Sequence, residues 1–221
     1  MTKQFQLPTP IWHDDLNIFD KMLEESFKDF KGRFLGIGAH IGNDWSSPLL
    51  DRGWTGVYCE PDPFACSGLI KNTEKYQNQV SIVNSAVMGS DGLRTFYLSL
   101  NSSFLSSMRP DWIEKLRSID YNKHWDLTPK KLPVTTNAIS FQKLINYVGN
   151  NFDLIVINAE GSDSEIVASV NWGQFTNCKM ICVEKEFLEL ELYADIIKQL
   201  YDQGSFILTD QTPCNSIYRR V

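Results

Sequence analysis

This 221-residue chain has no long apolar run. Its longest ones, such as Leu154 to Ile157, fall far short of the roughly 20 residues a membrane-spanning helix needs. The first residues, Met1-Thr-Lys-Gln-Phe-Gln-Leu-Pro, hold no apolar signal core. A basic cluster is missing as well. Lys and Arg number 21 against 27 Asp and Glu, a formal net charge of −6, which disfavours nucleic acid and anionic membranes as partners. Cysteines are few, five in all: Cys59, Cys66, Cys178, Cys182 and Cys214. An odd count at irregular spacing is no disulfide framework. Buried free thiols in a reducing, cytoplasmic setting are the expectation. Neither an internal repeat nor a linker is visible.

What is present is globular. Hydrophobic residues make up 43% and charged residues 22%, which rules out disorder and fibrous repeats. The length suits one domain, residues 1–221, with 1–32 as an N-terminal helical extension. From Asp14 to Phe30, Leu16, Phe19, Leu23, Phe27 and Phe30 recur at helical spacing, and Gly32 stops the helix. Arg33 to Ile37, Trp54 to Cys59 and Val80 to Asn84 read as strands. Asn43 to Leu50 and Phe64 to Tyr76 read as the helices between them. Leu93 to Leu100 reads as an added strand after the Gly89-Ser-Asp-Gly92 turn, and Leu132 to Thr136 as another. Pro110 suits the first turn of a short helix from Asp111 to Leu116. Ser140 caps a helix running to Val148. Asp153 to Asn158 and Met180 to Glu184 are apolar enough for buried parallel strands. Leu188 to Gln203 is a helix ended by Gly204, and Ser205 to Leu208 and Ser216 to Tyr218 are closing strands. Alternating strands and helices imply an α/β domain with a mostly parallel sheet, whose ligands bind outside the carboxyl ends of the strands.

Several strand ends carry chemistry. Gly36-x-Gly38-x-x-x-Gly42 follows the first strand. A dinucleotide fingerprint has two residues before its last glycine, and here there are three, which counts against a nicotinamide-dependent oxidoreductase. The glycines allow positive φ and close approach of a ligand, or simply a tight turn. Glu60 ends the second strand, where a carboxylate can accept hydrogen bonds from both hydroxyls of a ribose. Asn84, Ser85 and Ala86 end the third and suit an adenine edge. Asn158-Ala-Glu160-Gly-Ser162-Asp163 follows the next long strand. Ser162 or Asp163 can cap the helix after it.

The chain resembles the FkbM-like methyltransferases, a branch of the class I S-adenosylmethionine-dependent enzymes. The matching pieces are Gly36-Ile-Gly-Ala-His-Ile-Gly42, Cys59-Glu-Pro-Asp-Pro63, Ser102-Ser-Phe-Leu-Ser-Ser107, Asp153 to Asp163, Val183-Glu184 and Asn215-Ser-Ile-Tyr-Arg219. The resemblance implies a Rossmann-like fold: a seven-stranded, mostly parallel sheet with the last strand antiparallel and helices on both faces. It implies transfer of a methyl group to a hydroxyl of a saccharide or similar small metabolite. S-adenosylmethionine would lie over Gly36, Gly38, Ala39 and Gly42, with Glu60 on its ribose, Asn84, Ser85 and Ala86 near adenine, and Asn158 near the methyl. The family usually has acids at the positions of Gly36 and Asn158, a lysine at that of Val156 and an asparagine at that of His40. An amide at Asn158 can orient the cofactor amino group or a substrate hydroxyl but cannot act as a base. A degenerate member that binds a nucleotide or sugar without chemistry is therefore the alternative reading.

A hydroxyl acceptor needs its proton removed as the bond forms. The candidates are His40, Glu160, Asp163, His124 and Glu184. His40 lies in the cofactor loop, as a base or as a polar loop residue. Glu160 is a base or a helix cap, and His124 is a base or a surface side chain. Residues 99–131 form an insert on the substrate side, where Trp112, Tyr121 and Trp125 suit stacking on a sugar ring or a small extra core. Mg²⁺ is a further option, since Asp153, Glu160, Asp163 and Glu184 offer oxygen ligands, although their spacing does not demand a metal and no metal site is assigned. The expected partner is a small molecule or saccharide. A homodimer is compatible with the sequence.

Overall fold

A computed structural model describes residues 21–42, 45–100, 102–112, 114–115, 130–184, 190–212 and 215–221. Its strands are β1 (Arg33–Ile37), β2 (Thr55–Cys59), β3 (Val80–Val83), β4 (Ala86–Met88), β5 (Gly92–Ser99), β6 (Lys131–Ser140), β7 (Leu154–Ile157), β8 (Met180–Glu184), β9 (Phe206–Gln211) and β10 (Asn215–Arg220). Seven of them form one sheet in the order β3-β2-β1-β7-β8-β10-β9. Only β10 runs antiparallel to both its neighbours. This is the sheet the family resemblance implies.

The periodicity of the strands explains the layers. Side chains alternate across a strand, so Leu35, Ile37, Val57, Cys59, Ile155, Ile157, Ile181 and Val183 face one core. Phe34, Tyr58, Leu154, Val156, Met180 and Cys182 face the other. Helices Phe141–Val148, Asp163–Ala168 and Leu190–Gly204 cover the first core. Helices Ser47–Asp51 and Pro63–Asn72 cover the second, together with the helical residues 21–27. Met22, Leu23 and Phe27 are buried there, so this segment is part of the core. Its helix stops at residue 27, short of Gly32. The four described cysteines are buried thiols. Cys214 lies outside the described residues.

A second, three-stranded sheet, β4-β6-β5, is inserted between β3 and β7. The sequence shows β5 and part of β6. It hides β4, a three-residue strand that pairs parallel with Ala138 to Ser140. β6 is ten residues long because it serves two partners, pairing with β5 along Lys131 to Ala138. At its end Ser140 caps the next helix, its Oγ accepting from Lys143 N at 3.2 Å.

The carboxyl ends of β1, β2 and β7 finish level, with Ile37 beside Cys59 and Ile157. Gly56 allows that packing: a Cβ there would stand 2.1 Å from the Phe34 ring. Gly56→Ala is expected to lower stability by about 1–3 kcal/mol through overpacking, read as a lower urea midpoint with an unchanged slope.

Candidate functional site

Glu60 ties together the loops at the carboxyl edge. Its backbone N donates to Val83 O at 3.0 Å. Its carbonyl accepts from Asn84 Nδ2 at 2.7 Å. Its carboxylate accepts from His40 N on one oxygen and Asp62 N on the other, each at 2.7 Å. Gly38 N and Ala39 N both donate to Cys59 O. Successive N–H groups of the first loop are thus laced onto the end of β2. Pro61 and Pro63 flank Asp62, whose Oδ1 accepts from Phe64 N and Ala65 N and caps the following helix.

The first loop is pressed against the chain on its other side too. Gly38 has φ +75, and a Cβ on it would fall 1.6 Å from Asn158 O. At Gly42, φ +65, a Cβ would meet Leu69 Cδ1 at 2.4 Å. The close approach these glycines permit is that of the protein's own chain.

Between these loops lies a cavity of about 330 Å³, within the usual range for small-ligand sites. Of the residues expected from sequence, Gly38, Ala39, His40, Gly42, Glu60, Ser85, Ala86, Asn158 and Glu160 line it. Gly36 does not: it sits inside β1, and its missing side chain would point at Tyr58 and Trp45 in the second core. Asn84 does not line it either, and serves the Glu60 backbone. His124, Tyr121 and Trp125 lie outside the described residues. Met88, Phe96, Phe104 and Met108 line the cavity as well. No motif spacing marks Met88, Phe96 and Met108 as site residues, since the second sheet and the turn after it carry them in. Phe104 lies within the Ser102–Ser107 motif.

That motif crosses the cavity as a strap. Ser103 Oγ is 2.9 Å from His40 Nε2, and the Phe104 ring stands edge-on to the imidazole. Ser107 Oγ donates to Glu160 O at 2.6 Å. Trp112, 1% exposed, donates from Nε1 to Glu160 Oε2 at 2.9 Å. Trp112 is therefore buried and is no stacking platform, and Ser162, not Glu160, stands at the N-cap of the next helix. His40 and Glu160 both have φ +47, an uncommon backbone for such side chains. Asp163 closes the loop after β7, its two oxygens accepting from Ala159 N at 2.8 Å and Gly161 N at 3.2 Å. Ser162 stands at the N-cap but makes no side-chain cap bond.

The titratable groups feel this packing. Burial pushes the Glu60 carboxyl up to about 7, and the Asp62 charge adds to it, against the pull of two backbone N–H groups. Folding thus favours the protonated form. Its contribution to stability is full below about 4.5 and is lost as pH rises through about 7. Burial lowers the His40 pKa from its ordinary value, opposed by the Asp62 charge. Burial raises Asp163 and the Cys59 thiol, the latter helped by Glu60. The acids named for Mg²⁺ do not gather. Asp153 accepts from Arg33 N at the opposite end of the sheet, and among the described residues no group of three or more His, Cys, Asp or Glu could hold a metal.

The family profile of the methyltransferase FkbM domain matches residues 36–207. No curated protein matches the sequence. Among solved structures, the chain is similar to the methyltransferase domain of METTL16, with 13% identity, TM-score 0.51, and 97% of this chain and 70% of that one covered. It is also similar to a protein of Pyrococcus horikoshii described as an RNA methyltransferase, with 12% identity, TM-score 0.50, and 100% and 93% covered. At these identities the likeness is one of fold. Among the described residues no helix is long and apolar enough to cross a membrane.

Asp163→Ala strips two half-buried N–H groups of their acceptor. It is expected to cost about 1–3 kcal/mol for each left unpaired, read by chemical denaturation.

Proposed function

The chain belongs to the FkbM-domain methyltransferases, S-adenosylmethionine-dependent enzymes, and from that premise we propose that it methylates a hydroxyl of a saccharide or similar small metabolite. The observation that supports this cofactor at this site is the state of Glu60. A carboxylate has about four acceptor positions. Two of them hold His40 N and Asp62 N, which leaves two for a pair of ribose hydroxyls in the adjoining cavity. Met88, Phe96 and Met108 offer an apolar surface suited to a base, beside Ser85 and Ala86.

When bound, S-adenosylmethionine would supply an electrophilic methyl on a sulfonium, open to in-line attack by an acceptor oxygen. The rest falls to the chain. Glu60 binds the diol, the strap with Phe104 and the ring of Phe96 exclude water, and Asn158, beside Gly38, presents an amide able to orient an amino group or a hydroxyl. The acidic net charge disfavours nucleic acid as the acceptor. The alternative, a binder without catalysis, draws on Gly36: the place of the family's usual acid is taken up by Tyr58 and Trp45.

Titration calorimetry with S-adenosylmethionine and S-adenosylhomocysteine tests the cofactor, and transfer of a tritiated methyl to a panel of glycosides tests the acceptor class. Absence of binding at millimolar ligand would sink the reading. Binding with no transfer would favour the non-catalytic one. Glu60→Ala is expected to weaken S-adenosylhomocysteine binding by about 1–3 kcal/mol through loss of charge-assisted hydrogen bonds. A ligand that donates to Glu60 prefers the carboxylate. Wild-type affinity should therefore fall as pH drops below about 7, up to tenfold per unit, while Glu60→Gln should bind with a flat profile across the same window.

A further inference from the structure

We propose that His40 is the group that takes the proton from the methylated hydroxyl, and that Ser103 is the residue that positions its ring. This rests on the hydroxyl-methylating reading above. The carboxylates around the cavity have other work. Both Glu60 oxygens hold backbone N–H groups, as do both Asp163 oxygens. Glu160 Oε2 accepts the Trp112 indole N–H. Asn158 has no basic atom. The His40 ring, by contrast, lines the cavity and meets one hydroxyl, Ser103 Oγ, and the edge of Phe104. An imidazole whose Nε2–H donates to that serine keeps the Nδ1 lone pair for a proton.

The backbone supports the assignment. His40 is one of three described non-glycine residues with positive φ. Such strain persists where surrounding structure over-determines it and concentrates at functional sites. Here Glu60 fixes the His40 N–H from below and the strap fixes its ring from above.

The step balances without a further reagent. The acceptor oxygen takes the methyl carbon from the sulfonium, whose carbon–sulfur electron pair stays on sulfur, and the hydroxyl proton passes to the imidazole. The products are the methyl ether, S-adenosylhomocysteine and an imidazolium that returns its proton to water. Of the charged or titratable groups nearby, Asp62 acts on the His40 ring, Glu60 holds its backbone N–H, and Cys59 and Glu160 line the same cavity. The described strap residues 102–108 bring none.

The test combines His40→Asn, which tolerates positive φ, with Ser103→Ala. The chain has three histidines, so the imidazole resonance missing from His40→Asn identifies His40 in the NMR spectrum of the cofactor-free protein. That resonance is expected to titrate below 6.5 and to shift its midpoint in Ser103→Ala. With tritiated S-adenosylmethionine and methyl glycosides, the acid limb of the wild-type kcat profile should move together with it. His40→Asn should lose about 100-fold or more in kcat, while S-adenosylhomocysteine affinity stays within threefold. Retention of kcat within threefold in His40→Asn, or an acid limb unrelated to the NMR midpoint, overturns the role of His40 and leaves methyl transfer standing. A wild-type protein that binds S-adenosylhomocysteine but transfers no methyl to any glycoside overturns the hydroxyl-methylating reading itself, and His40 with it.

Discussion

One carboxylate sets the geometry of the carboxyl edge. Glu60 stands at the end of β2, 5% exposed, and reaches the loop after β1, the turn that follows it, and the end of β3. Burying such a group costs free energy unless donors surround it. The donors here are backbone N–H groups of the two loops that form the cavity floor, so its burial and the position of those loops are one arrangement. The asparagine amide that sequence reasoning placed near a ligand is a further donor to this same residue.

Much of the fold is legible because strand periodicity and capping are local. Leu154 to Ile157 is apolar throughout because both faces of the central strand are covered, and Ser140 announces its helix through a side chain that reaches three residues on. The β4-β6-β5 sheet is only half legible. β4 is three residues long, and the second half of β6 is a strand because β4 and β5 both pair with it there. Neither fact is written in the local pattern.

The site divides along the same line. Glu60, Gly38 and Asn158 can be found because strand ends are predictable. Gly36 cannot be placed from the glycine spacing, since nothing in that spacing says its Cα faces Tyr58 and Trp45. Trp112 is a matter of partners: its burial and its bond to the Glu160 carboxylate are not written in its surroundings in the sequence. Met88, Phe96 and Met108 arrive from an inserted sheet and the turn beside it, with no motif to mark them. Ser103 and Ser107 stand inside a motif, yet their role depends on the two left-handed residues they hold, His40 and Glu160.

The inserted sheet also has a temporal consequence. The cavity straddles the seam between β1 and β7, and the contact that closes this seam at the far edge, Arg33 to Asp153, spans 120 residues. Everything between, including the whole second sheet, must be synthesised before the seam can form. Long-range parallel pairing of this kind is slow and exposes apolar edges while it waits. A nascent chain leaving the ribosome therefore carries β1 with its inner edge open until β7 emerges, and cofactor recognition becomes a late event in the life of each molecule.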